Sequence, residues 1–136
     1  MDFSVKISIL SDTKYLAPLR GLVHAVSKAV ERHDIPEQAW KACALGLIEA
    51  VDNAIFHAHQ NKENEPIDVK LTVGDSAIEI SILDQGLGFN TAFDPDQAPD
   101  LMSTSGRGLY LMHALMSKVE RRQSEQGHEV VLTYNL

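Results

Sequence analysis

Glu49, Asn53 and His57 stand four positions apart in the run Glu49-Ala50-Val51-Asp52-Asn53-Ala54-Ile55-Phe56-His57. A helix turns about 100° per residue, so this spacing sets a carboxylate, an amide and an imidazole along one polar line. Leu45, Leu47, Ile48, Val51, Ile55 and Phe56 surround that line with a broad apolar surface. Polar groups beside such a surface need partners or a cavity. The line therefore reads in two ways, as the polar edge of an amphipathic helix or as one wall of a site.

Two glycine elements further on indicate which chemistry such a site would have. Gly86 and Gly88 follow an apolar strand that ends at Asp84, and Gly106 and Gly108 precede a helix predicted to begin near Arg107. Glycine lets a backbone approach a ligand closely, and the N–H groups at a helix N-terminus receive anions. Together the two elements frame a phosphate site, with a segment between them that reads as a mobile lid at about 89–105. The Asp84 carboxylate can accept a hydrogen bond from an exocyclic amine. Taken singly, Asp84-Gln85-Gly86-Leu87-Gly88 also reads as a tight turn, and Gly106-Arg107-Gly108 as a plain helix entry. The phosphate loop ending in Gly-Lys-Ser/Thr, the dinucleotide Gly-x-Gly-x-x-Gly fingerprint and the protein-kinase signatures are all missing.

The elements that must carry these residues follow from periodicity. Phe3, Val5, Ile7 and Ile9 alternate with polar residues, as in a half-buried strand over 3–10. Ser11-Asp12-Thr13 supplies capping oxygens for a helix over about 14–33, with the stripe Leu16, Leu19, Leu22, Val23, Val26 and Val30. Off that stripe lie Arg20, His24, Lys28 and Glu31, either a solvated face or a docking face. Pro36 suits the first turn of a second helix, predicted over 36–59 and carrying Glu49 to His57. Strands are predicted near 67–73 and 77–83, joined by Gly74-Asp75-Ser76 as an antiparallel pair. A third helix over about 107–118 and strands near 118–122 and 128–134 complete the order β-α-α-β-β-α-β-β. The fold class is an α+β two-layer sandwich, a mixed, mostly antiparallel sheet covered on one face by helices.

Composition narrows the function. The chain has 136 residues, enough for one domain with its own core, and no repeat or interdomain linker interrupts it. Its formal charge of −7 argues against general nucleic-acid binding, which needs many phosphate-neutralising cations. It leaves room for a small phosphate ligand held by backbone N–H groups and a metal ion. Cys43, the single cysteine, sits among Ala42, Ala44 and Leu47 and reads as a small buried filler. With no membrane-length apolar run and no basic head at Met1-Asp2-Phe3, the expected location is cytoplasmic.

Glu49-x-x-x-Asn53, Asp84-x-Gly86-x-Gly88 and Gly106-x-Gly108-Leu109 resemble, in order and spacing, the asparagine box and two glycine boxes of the GHKL ATPases. That superfamily includes gyrase and the catalytic domains of histidine kinases, and it shares the Bergerat fold. The resemblance spans nearly the whole chain and is nearest to the stand-alone anti-sigma-factor serine kinases. It implies ATP and Mg²⁺ as cofactors, with Asn53 holding the metal and Asp84 binding the adenine amine. Gly86 and Gly88 would shape the base and phosphate pocket, and Gly106, Arg107, Gly108 and Leu109 would close over the phosphates. Glu49 would be the general base, and His57 a packing or orienting residue. Where the superfamily often carries a threonine near the start of the last strand, this sequence has Glu129, with Thr133 later.

The function so implied is a protein serine/threonine kinase that phosphorylates a STAS-domain antagonist and sequesters a sigma factor, with homodimerisation typical of such proteins. The alternatives are a nucleotide-dependent binding module that works through the first helix near Arg20 and His24, and a detached histidine-kinase-type ATPase domain. The length, with no residues left over for a phosphoacceptor helix pair, favours the first reading over the last.

Overall fold

The computed structural model describes residues 2–58, 65–84, 104–124 and 127–136. Its strands are β1 (Phe3–Leu10), β2 (Pro66–Val73), β3 (Ala77–Asp84), β4 (Lys118–Ser124) and β5 (Gly127–Asn135). Its helices are α1 (Leu16–Ala29), α2 (Glu37–Asn53) and α3 (Thr104–Leu115). The predicted element order is therefore present. The strands form one sheet in the order β1-β2-β3-β5-β4. All four pairings are antiparallel, so the expected mixed sheet has no parallel pair among the described residues.

Period-2 alternation sorts the two faces of this sheet. Ile67, Val69, Leu71 and Val73 on β2, Ile78, Ile80 and Ile82 on β3, and Val130 and Leu132 on β5 are buried under the helices. The intervening residues make a polar outer face, where Ser8 Oγ donates to Asp68 Oδ1 at 2.7 Å. Helix α2 lies in the middle of the helical layer and touches both α1 and α3. Its close seating on the sheet depends on Gly46. A methyl group there would stand 3.3 Å from Met116 Sδ and 3.4 Å from Leu132 Cδ1. Cys43 is buried on the same helix, and burial pushes its thiol up to about 12, as befits an inert filler.

Several boundaries differ from those read in the sequence. On the edge strand β1 only Ile9 is buried, and Phe3 and Ile7 are exposed. The helical layer is narrower than the sheet on that side. Asp12 caps a short 3₁₀ turn, Thr13–Tyr15, by accepting from the Lys14 N–H at 3.0 Å, and α1 begins only after it. That helix stops at Ala29 rather than 33, because Glu31 takes a left-handed φ of 50°. Arg32 then fixes the turn into α2, donating to the Gly74 carbonyl at 2.7 Å and pairing with Asp34 at 2.7 Å.

Candidate functional site

Helix α2 ends at Asn53, and Ala54–Ala58 continue as a π-helical turn. The Ala54 N–H reaches both Ala50 O and Val51 O, where the winding loosens. Single π turns inside helices mark functional positions more often than chance would place them. The change also limits the four-residue spacing argument. It holds from Glu49 to Asn53 within the α-helix, and the part of the predicted line that falls on the His57 side chain lies outside the described residues.

Asn53 is 4% exposed, and its Nδ2 is buried without a hydrogen-bond partner. Such an orphaned amide is costly unless something outside the fold completes it. One turn earlier, Glu49 is half-buried. Burial, and secondarily the neighbouring carboxylate of Asp52, hold its pKa above the ordinary glutamate value. A raised carboxylate beside an unsatisfied amide suits a group that must take up a proton during a reaction.

Asp84 occupies the next position in the apolar row Ile78, Ile80, Ile82 and is 2% exposed. A carboxylate in that row is what a buried recognition group looks like, since packing alone would favour another aliphatic residue. Its neighbours in register are Ile67 on β2 and His128 on β5. The His128 Nδ1 lies 3.7 Å from Asp84 Oδ2, and both side chains are nearly sealed from solvent. Glu129, at about the place where the superfamily often carries a threonine, pairs with Leu83 and not with Asp84. It sits on the outer face of the sheet, accepting from Ser81 Oγ at 2.8 Å and lying 3.6 Å from Arg122 Nη1. His128 is the residue that sequence reasoning missed. The signal was available, because His128 shares the two-residue phase of Val130 and Leu132, and Glu129 does not.

Gly106, Arg107, Gly108 and Leu109 fall inside the first turns of α3 rather than ahead of it, since that helix starts at Thr104. Thr104 and Ser105, assigned to the lid in the sequence, thus belong to a helix. The rest of that lid, with Gly86 and Gly88, lies outside the described residues, as do the side chains from Thr104 to Leu109.

The donor set can be tested against a magnesium ion. Among the described residues no group of three or more His, Cys, Asp or Glu is placed to hold a metal. Mg²⁺ commonly takes one or two protein oxygens and completes its shell with phosphate and water. Asn53 fits that role, because its amide can present either terminal atom at the unsatisfied position.

At its N-terminal half α2 borders a second feature, an open groove of about 1050 Å³ against α1. Its lining includes Arg20, His24, Lys28, Trp40 and Lys41, together with Glu31 and Glu37. The predicted off-stripe residues of α1 therefore line a groove rather than a featureless surface. No described helix is long and apolar enough to cross a membrane.

Comparison with known proteins places these features. Residues 12–134 match the histidine kinase-like ATPase domain family. The serine-protein kinase RsbW of Bacillus subtilis is 30% identical over 97 residues, covering 65% of this chain and 60% of that protein. The anti-sigma F factor of Clostridium beijerinckii is 32% identical over 85 residues, covering 59% of this chain and 58% of that protein. The chain thus spans about 60% of the length of the first curated relatives it matches. The histidine kinase domain of a blue-light-activated histidine kinase from Erythrobacter litoralis superposes with a TM-score of 0.59 at 17% identity, covering 91% of this chain and 60% of that one. That likeness concerns the fold, an antiparallel sheet with its helices on one face. The family match covers nearly the whole chain, and the chain belongs to the histidine kinase-like ATPase domain family.

Proposed function

We propose that this protein binds Mg-ATP at the C-terminal end of α2 and transfers the γ-phosphoryl group to a serine or threonine of a STAS-domain antagonist. On the same reading it sequesters a sigma factor when the antagonist is phosphorylated. One observation carries the proposal: the buried Asn53 Nδ2, without a hydrogen-bond partner, lies one helical turn from a half-buried Glu49 with a raised pKa. The similarity to RsbW and to an anti-sigma F factor supports the partner class.

In this mechanism Asp84 accepts a hydrogen bond from the adenine amine, and its burial strengthens that bond relative to water. The first turn of α3, which includes Gly106 and Arg107, offers its N–H groups to the phosphates, and the family pattern adds Gly108 and Leu109 to that side of the pocket. The family pattern adds Gly86 and Gly88 to the base and phosphate pocket. Asn53 supplies oxygen to the cation, which when bound screens the phosphate charge. Glu49 takes the proton from the attacking hydroxyl. The decisive experiment titrates Mg-ATP and Mg-ADP by calorimetry and then follows labelled γ-phosphate into STAS-domain proteins. Binding with transfer is the expected result. Failure to bind either nucleotide would refute the reading.

The groove between α1 and α2 favours a second reading, a nucleotide-dependent binding module whose product is a complex. It offers Arg20, Lys28 and Lys41 beside Trp40 on a chain of net charge −7, a setting suited to an acidic partner. Nucleotide binding without transfer to any STAS protein would select this alternative.

A further inference from the structure

We infer that two copies of this chain pair along β1, antiparallel about a two-fold axis centred on Ile7, and join their sheets edge to edge. The inference concerns assembly and stands apart from the nucleotide reading. The sheet has two edge strands, β1 and β4, and they are guarded differently. Four of the seven residues of β4 are charged, Lys118, Glu120, Arg121 and Arg122. Charge along an edge discourages pairing with another chain. The eight residues of β1 carry one charge, Lys6. Its Phe3, Ile7 and Leu10 are exposed, and no strand among the described residues pairs with its outer side. An apolar strand with an unpaired row of backbone N–H and C=O groups is a template for a further strand.

The charges indicate which strand completes it. Lys6 stands directly opposite Lys70 on the outer face, and neither lysine has an ion pair among the described residues. Like charges opposed across a ladder are unfavourable. In the neighbouring row Ser8 stands opposite Asp68. A two-fold axis perpendicular to the sheet keeps both helical layers on one side, so the odd-numbered residues of the two strands meet each other. Centred on Ile7, the pairing sets Val5 opposite Ile9 of the second copy and Ile7 opposite its own counterpart. It also sets Lys6 opposite Ser8 of the second copy, beyond which lies that copy's Asp68. Two strand spacings, about 10 Å between backbones, separate the lysine from that carboxylate, a gap their side chains span together. Symmetry makes the contact twice. Centring on Lys6 instead would align Lys6 and Lys70 of both copies in one row of four like charges. Centring on Val5 would set Lys6 against Ser4 and Thr72, which offer no carboxylate. The strand therefore complements itself in one register.

Sedimentation velocity on the full chain reads the monomer–dimer equilibrium. Lys6→Glu sets a carboxylate against Asp68 of the second copy, and Asp68→Lys sets an ammonium against Lys6. Each variant alone should need about tenfold higher concentration to dimerise than the parent. An equimolar mixture of the two should dimerise like the parent. Both contacts between copies are then opposite in sign, whereas the contacts within each chain are unchanged from the single variants. A second measurement fixes the register. Oxidised Ile7→Cys should form a disulfide-linked dimer, because directly opposed residues lie within the Cα range of a disulfide. Phe3→Cys, remote from its counterpart in this register, should not, and the buried Cys43 takes no part. A monomeric parent, a dimer indifferent to the charge reversals, or a mixture no tighter than its components overturns the inference. So does linkage through Phe3→Cys in place of Ile7→Cys. Should a charge variant fail to fold, the cysteine comparison decides alone.

Discussion

The two ends of helix α2 are built differently. The N-terminal half borders an open groove in which Arg20, Lys28 and Lys41 are interspersed with Glu31 and Glu37. Most of those charges are solvated. Lys41 lies 3.7 Å from Glu37, with side chains 75% and 82% exposed, so the pair contributes little to stability. The polar groups at the C-terminal end, Glu49, Asp52 and Asn53, sit in drier surroundings. Asn53 is buried and unsatisfied, and Glu49 titrates above its ordinary range. Solvated charge is cheap to display and serves encounter with a partner. Buried polarity left incomplete costs stability and is retained where a ligand completes it. On the proposed reading, one helix separates recognition of a macromolecule from handling of a small charged ligand.

The largest effect that would test this contrast belongs to the buried end. Glu49→Gln should reduce phosphoryl transfer by roughly 10²–10⁴-fold while Mg-ATP affinity stays within a few-fold of the parent. Calorimetry beside a single-turnover assay separates the two quantities, and undiminished transfer would remove Glu49 from the role of base. Asn53→Ala should cut Mg-dependent nucleotide affinity on the order of 10–100-fold. It should also leave the nucleotide affinity measured in chelator nearly unchanged. Equal losses with and without magnesium would argue for packing instead.

At the open end, Arg20→Glu combined with Lys28→Glu should weaken an acidic partner about tenfold, chiefly through slower association. The deficit should shrink as ionic strength rises, because both groups are solvated. Nucleotide affinity should not change. If it did, the two ends would be coupled. The smallest effect concerns pH. With Glu49 as the proposed base, transfer would need its ionised form, so its raised pKa should place the acid limb of the rate profile above that of an ordinary glutamate. Asp52→Asn removes a negative charge that helps raise it, and the limb should move to lower pH. A shift to higher pH, or none, would deny Asp52 that influence.

Much of the architecture was legible in local patterns. Alternation located the strands, and Gly74-Asp75-Ser76 joined two of them as expected. The stripe Leu19, Val23, Val26 of α1 is buried as its spacing required. The misreadings arose where tertiary context overrides local pattern. Phe3 and Ile7 alternate as well as any buried strand, yet the helical layer stops short of them. Gly106 and Gly108 look like a helix entry, yet α3 already includes them. Uniform α winding over 36–59 was assumed, and the structure turns π-helical after Asn53.

The sequence by itself determined the order of elements, the apolar rows that bury one sheet face and the three motifs of the ATPase family. Each depends on side-chain types at short, regular spacings, which local geometry translates directly into faces and turns. Only the tertiary structure decided that His128, and not Glu129, stands beside Asp84. Register between strands distant in sequence is set by the packing of whole rows. A one-residue shift exchanges every side chain between core and solvent.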